Sequence, residues 1–218
     1  VNFGVSLPLL YWGEQTVPSG LAAIMYATLP LSTALFARGF GLEPLLRGTL
    51  GAALLAMVGV SVLFSTQLSG HYSRLALAAV FLGAATASLA GVLLKRSPGA
   101  HPLWTNVIAN SVGAVMCALI STALGESHAL PVGAAWIPVL YLTIVGSIGA
   151  FVVFTWLLQR WSASRLSFIA VITPVVAVLL GVLIRGEHLS AANLSGAGVI
   201  LVAAALGISS SRSRSPRP

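Results

Sequence analysis

Two asparagines, Asn106 and Asn110, stand four residues apart inside an apolar run, with Ser111 beside them. On a helix this spacing puts both amides on one face. An amide side chain donates and accepts hydrogen bonds, so the face can tie helices together or hold a polar ligand. Five aromatic residues, Tyr11, Trp12, Tyr26, Tyr141 and Trp156, are candidates for a cavity wall. Glu14, two residues past Trp12 and beside Gln15, would meet a cationic or zwitterionic compound. Together these nine residues are the candidate ligand contacts. Pro30 and Pro174 lie inside apolar runs. Each removes a backbone donor and releases the carbonyl four residues earlier, at Tyr26 and Ala170. A released carbonyl at membrane depth must face protein or a wet cavity, so the pair are candidate kinks or hinges.

Other chemistry has little to work with. The four histidines, His71, His101, His128 and His188, fall between the apolar runs, and no two have metal-ligand spacing. No metal and no cofactor are expected. Cys117 is the one cysteine, so no intramolecular disulfide forms, and there is no Asp. No His/Asp, Cys/His or paired-carboxylate set exists, which argues against an enzyme. The apolar runs carry no Lys, Arg, acid or His deep in their interiors. A strong anion would want a buried cation, so a neutral or zwitterionic, partly apolar ligand fits better.

The elements that position these residues follow from composition. Charged residues are 7% of the 218 and hydrophobic residues 57%. Soluble domains carry roughly 25% charge. The net charge of +7 could suggest nucleic acid, but the basic residues are scattered between long apolar runs, and the lipid bilayer is the better partner. Seven full runs and one short one can be traced: Val1–Gly13, Val17–Ala37, Gly48–Phe64, Leu75–Leu94, Leu103–Leu124, Gly133–Leu158, Ala163–Ile184 and Ala191–Ile208. They are too long for strands, and residues 54–58 (Leu-Leu-Ala-Met-Val) lack the alternation of a membrane barrel. The expectation is an all-α integral membrane protein with eight visible transmembrane helices. The first run has no basic flank and is closed by Trp12, Glu14 and Gln15, so it is not a signal peptide.

Basic residues favour the cytoplasmic side. With loops on alternating sides, one side holds Arg38, Arg47, Lys95, Arg96, Arg160, Arg165, Arg212, Arg214 and Arg217, and the other holds Arg74 and Arg185. Nine against two places the C-terminus in the cytoplasm. The arginine–serine tail, 209–218, is expected to be a disordered basic segment that contacts anionic headgroups. Its three arginines release too few counterions for tight RNA binding.

A repeat recurs at an offset of 144: Val1 with Val145, Trp12 with Trp156, Gln15 with Gln159, Pro30 with Pro174, Leu35 with Leu179 and Glu43 with Glu187. It maps the first three spans onto the last three, a shift of five spans. An odd shift reverses the crossing direction, so the copies are inverted, as in secondary transporters that alternate access around a site between halves. The expected organisation is 1–64 for the last three helices of a first repeat, 65–74 for a linker loop, 75–208 for a five-helix second repeat and 209–218 for the tail. Equal copies would put about 70 residues ahead of Val1. The cavity is expected between the halves, lined by the first, second, fifth, sixth and seventh spans. Glu43 and Glu187 close their helices on opposite sides and are expected to pair with a neighbouring Arg or cap the next helix.

Two stretches carry a resemblance. One is Gly146-Ser147-Ile-Gly-Ala150-Phe151, Leu157-Leu158-Gln159-Arg160, Thr173-Pro174-Val-Val-Ala177, Gly181 and Gly186-Glu187. The other is Tyr11-Trp12-Gly13-Glu14-Gln15, Pro18 to Ala23 and Leu29-Pro30-Leu31. They resemble the second half and the end of the first half of EamA-type drug/metabolite transporters. The chain departs from that pattern at Leu42, Arg185 and the Ala85-Thr86-Ala87-Ser88 stretch. The resemblance implies a ten-helix bundle of two inverted five-helix repeats in the bacterial inner membrane, moving small metabolites. An amino acid or amphipathic compound is the expected substrate class. A non-transporting subunit or channel-like protein is the alternative, and the oligomeric state stays open between monomer and homodimer.

Overall fold

The computed structural model describes residues 1–67, 71–97, 101–126, 130–185 and 190–210. Glu187, His128, His188 and the arginines of the tail lie outside the described residues. Among the described residues the chain is all helical, with no strand. Helix α1 opens as a π-helical turn, Asn2–Ser6, and continues as an α-helix, Leu7–Glu14. The others are α2 (Ser19–Gly39), α3 (Arg47–Leu63), α4 (Arg74–Arg96), α5 (Pro102–Ala123), α6 (Gly133–Arg160), α7 (Ala163–Arg185) and α8 (Ala191–Ser210). Six of these, α2 and α4 to α8, are long and apolar enough to cross a membrane. The 17-residue α3 is shorter. Helix α8 runs through Ser210, so the first two residues of the predicted tail are helical.

The two prolines do different things. In α2 the helix breaks at Ala27 and Thr28, and Leu29–Gly39 starts again with Pro30 at its second position. Pro30 has no N–H for the Tyr26 carbonyl, and the chain tightens ahead of it: the Thr28 amide and hydroxyl both donate to the Met25 carbonyl, at 3.1 and 2.6 Å. The chain thus breaks between the Tyr26 carbonyl and the proline. Pro174 sits within a continuous α7. Helix α6 also departs from a plain helix, with a nine-residue π segment, Leu142–Ala150, before the α-helix Phe151–Arg160.

Small residues set the packing. Helices α3 and α8 lie antiparallel: Gly48 at the start of α3 meets Ser210 at the end of α8, and Leu63 at the end of α3 meets Gly196 near the start of α8. A Cβ on Gly196 would lie 2.6 Å from the Leu63 amide nitrogen and 2.8 Å from the Gly59 carbonyl oxygen, so the backbones touch. Asn193 joins the same ends, donating to the Leu63 carbonyl at 2.9 Å while its own carbonyl accepts from the Ser190 amide. Asn193-Leu194-Ser195 has the form of a glycosylation sequon, and these bonds tie its asparagine into a helix start. Under this pair, Phe168 of α7 is fully buried with its ring on Gly207 and packs with Ala52 and Ala53. Val171 and Val175 of α7 join Val60, Leu63 and Ile200 in the largest apolar cluster. Helix α1 packs on α4 at Gly13 and Val80, and on α5 where Gly113 faces Phe3.

The Gly196 contact is a strong test of this packing. Gly196→Ala forces the α3 and α8 backbones apart and should cost about 1–3 kcal/mol of stability. Gly198→Ala, with open space at its Cβ, should be neutral or slightly stabilising. Thermal unfolding of the two purified variants in detergent compares them directly.

Candidate functional site

A cavity of about 600 Å³ lies in the middle of the bundle, lined by α1, α2, α4, α5, α6 and α7. It runs from Ser6 and Tyr26 to Ser97, Thr105 and Ala163 at the ends of α4, α5 and α7. Three rings form one wall: Phe3 and Phe151 lie 4.7 Å apart and tilted, and Phe154 stands edge-on to Phe151 at 6.5 Å. The polar lining formed by the described residues is neutral: Asn2, Ser6, Tyr26, Thr33, Ser88, Asn106, Thr155 and Ser167 are among it, and no charged side chain of the described residues is.

Each polar group is set by its helix. Ser6 is fully buried and donates to the Gly83 carbonyl of α4 at 2.7 Å. The Tyr26 hydroxyl lies 3.5 Å from Ser6 Oγ. Asn106 is 5% exposed and joins α5 to α6. Its Nδ2 donates to Thr155 Oγ1 at 3.0 Å and to the Phe151 carbonyl at 3.1 Å, as well as to Pro102 in its own helix at 2.9 Å. Thr155 in turn donates to the Phe151 carbonyl at 2.8 Å. Asn110 bonds the Asn106 carbonyl at 2.9 Å. A helix turns about 100° per residue. Thr155 therefore faces inward while Trp156 faces out.

The nine residues expected as ligand contacts divide accordingly. Tyr26 and Asn106 line the central cavity. Tyr11, Trp12, Gln15 and Asn110 line a separate, more open groove between α1 and α5, of about 1250 Å³. Trp156 is 45% exposed and lies outside both, its ring under the Arg160 guanidinium at 4.0 Å. Tyr141, 62% exposed, and Glu14 also line neither space. The cavity adds α4 to the five helices expected and brings in Phe3, Phe151, Phe154, Thr33, Ser88 and Thr155. The Asn106 and Thr155 pairing was the signal available for α6, since a polar residue in an apolar run must turn inward.

Charged side chains from two helices hold the far end of the cavity. Helix α6 ends and α7 begins in a sharp corner. Lys95 Nζ, at the end of α4, donates to the Leu158 and Trp161 carbonyls at 2.6 and 2.9 Å. Glu43, just past α2, accepts from the Ala163 and Ser164 amides at 2.5 and 3.2 Å. A cation thus meets free carbonyls at the end of α6, and an anion meets free amides at the start of α7. Glu43, expected to pair with a neighbouring Arg or cap the next helix, caps instead α7, a helix that begins 120 residues away. Arg165 stacks on Trp161 at 3.9 Å at the same corner. Among the described residues no cluster of His, Cys or acids could hold a metal.

The EamA-like transporter family matches residues 74–209. The chain belongs to that family. It is 32% identical over 195 residues to the uncharacterized inner membrane transporter YedA of Escherichia coli (strain K12), covering 88% of this chain and 63% of YedA. It is 26% identical over 216 residues to Protein PecM of Dickeya dadantii (strain 3937), covering 94% of this chain and 69% of PecM. The chain thus spans less than two thirds of the length of YedA. A solved crystal structure has the same fold, with a TM-score of 0.71 at 21% identity over 91% of this chain and 71% of that one. With its apolar helices, this EamA-family chain is an integral membrane protein.

Removing the carboxylate at the corner exposes its role. Glu43→Ala leaves the first amides of α7 without their acceptor and should lower stability by about 1–2 kcal/mol. Glu43→Gln keeps a side-chain acceptor and should lose less. Thermal unfolding of both variants beside the parent gives the order.

Proposed function

We propose that this EamA-family chain forms the greater part of a secondary transporter that moves small organic compounds by alternating access across the bacterial inner membrane. The observation that carries this is the neutral central cavity, lined by helices from both ends of the sequence. A membrane enzyme would need a reactive constellation there, and the lining is hydroxyl, amide and aromatic. A purely structural subunit has no use for about 600 Å³ of open space in its middle.

Three features support two inverted copies, 1–64 and 75–208, joined by 65–74 and followed by the tail from 209 to 218, within a ten-helix bundle of five-helix repeats. Adding 144 to the π turn Asn2–Ser6 gives 146–150, the end of the π segment of α6. Adding it to Leu7, where α1 becomes α-helical, gives Phe151, where α6 does. The third feature is the antiparallel α3–α8 pair, which are equivalent helices under the same offset and must cross in opposite directions. The copies also differ in a way that alternation uses: α2 is broken ahead of Pro30 while α7 is continuous through Pro174. In the opposite state the two helices would exchange these shapes.

The cavity reaches the ends of α4 and α6, which the charge tally places in the cytoplasm. Beyond Tyr26, Val17, Leu21, Ala76 and Val80 close the other end as an apolar cluster. This is an inward-facing arrangement with the C-terminus cytoplasmic. The substrates are neutral or zwitterionic compounds with an apolar part, amino acids or amphipathic metabolites among them. The remaining candidates, Tyr11, Trp12, Glu14, Gln15, Asn110, Tyr141 and Trp156, would meet substrate in another state or at an entrance.

Gly91 offers a clean block. It lines the cavity, and a Cβ there meets nothing within 4 Å. Gly91→Phe should accumulate and unfold like the parent yet abolish uptake in a liposome screen of the full-length protein. Unimpaired uptake by a well-folded Gly91→Phe would move the substrate site elsewhere. Reporter fusions after Ser209 and within 66–73 should report opposite sides of the membrane, and the same side for both would sink the inverted arrangement.

A further inference from the structure

We infer that the side-chain carbonyl oxygen of Asn106 is the selective contact of the central cavity, and that the cavity takes compounds of no net charge with a flat apolar body and an N–H or O–H donor. This rests on the reading of that cavity as the substrate site. Asn106 is nine-tenths buried and lines the cavity. Its Nδ2 is committed to three acceptors, the Pro102 and Phe151 carbonyls and Thr155 Oγ1. The amide cannot be turned over, because its oxygen would then face two carbonyl oxygens. Oδ1 therefore points away from them, and no described group donates to it. The donors nearby are spent elsewhere: Thr155 on Phe151, Asn110 on the Asn106 main-chain carbonyl, and Thr105 on His101.

Oδ1 is also not sealed in the protein, since it is not among the fully buried side-chain polar atoms of the described residues that lack a hydrogen bond. The oxygen opens onto the cavity. Both amide protons being spent, Asn106 offers a ligand an acceptor and no donor. A ligand that lacks a donor leaves a buried carbonyl unmet and loses the bond. The Phe3, Phe151 and Phe154 wall supplies the apolar contact for the rest of the molecule. Among the described residues the lining carries no charged side chain, which sets the net charge near zero, because an ion would be desolvated without a partner.

The test uses pairs of probes that differ only in methylation of every donor: indole and N-methylindole, phenol and anisole, benzamide and N,N-dimethylbenzamide. Binding to the full-length protein in detergent is followed by thermal shift and by calorimetric titration. Methylation favours partition into the micelle, so non-specific uptake runs against the proposal. The donor-bearing member should bind about tenfold or more tightly in at least one pair, and Asn106→Leu should erase the difference. Equal affinities in every pair, or binding of none of the six probes, overturn the proposal. The parent protein alone decides that comparison, so a poorly folding Asn106→Leu does not obscure it. Gly91→Phe separates the two readings. If it removes binding of both members while they bind the parent equally, the cavity stays the site and the donor rule falls. If it leaves binding intact, the site itself is misplaced and both fall.

Discussion

The constraint on which the structure depends is that lipid offers no hydrogen bonds. Every helix end and every break must find its partners inside the protein. In this EamA-family chain they come from distant sequence. Glu43 supplies an acceptor to the first amides of α7, and Lys95 supplies donors to the last carbonyls of α6. Asn193 closes α3 from the start of α8. Thr28 meets a carbonyl at the α2 break, and Ser88 reaches Leu29 beside it at 3.4 Å. Glu43, Lys95, Asn193 and Thr28 thus serve helix termini and bends, where the backbone would otherwise be bare.

Once the helix ends are satisfied, the bundle needs close approach, since burial of apolar side chains gains little against lipid tails. Small residues provide it. Gly196 and Gly59 bring α3 and α8 to backbone contact, and Gly207 makes room for the ring of Phe168. The tight side of the molecule is thus α3, α8 and the α7 face on them. The cavity lies on the other side of α7, among α1, α2, α4, α5 and α6. The same helix serves both, packing through Phe168 and Val171 and lining the cavity through Ser167 and Ala170.

Much of the fold was legible in the sequence because hydropathy and length are one-dimensional signals. The spans traced there match the helices within a few residues, as in Leu75–Leu94 against Arg74–Arg96. The site was less legible because it depends on helix rotation. Trp156 is the more conspicuous residue, yet Thr155 beside it faces Asn106, and Trp156 turns out to stack on Arg160. Residue type alone could not separate them. Pairing could, since Asn106 needs partners and a threonine in the facing run is a ready one. Pro30 acts on the chain at Ala27 and Thr28, between the carbonyl it releases at Tyr26 and the proline itself.

The π segments connect packing to function. A π turn adds a residue to the helical ring and leaves backbone bonds poorly aligned. It persists where surroundings reward the altered side-chain rotation. Here both segments end where the α-helix beside the cavity begins, at Leu7 in α1 and Phe151 in α6. Phe151 accordingly carries three roles. Its ring packs with Phe3 and Phe154, its carbonyl accepts from Asn106 and Thr155, and its position marks the change of helical pitch. Loss of the π segment would rotate Phe151 and Thr155 together by roughly one residue, about 100°. Asn106 would then lose the Thr155 hydroxyl and the Phe151 carbonyl at once, its amide would be free to turn, and the acceptor it shows to the cavity would no longer be held in place. The pitch of α6 and the hydrogen-bonding character of the cavity are therefore one property of the chain.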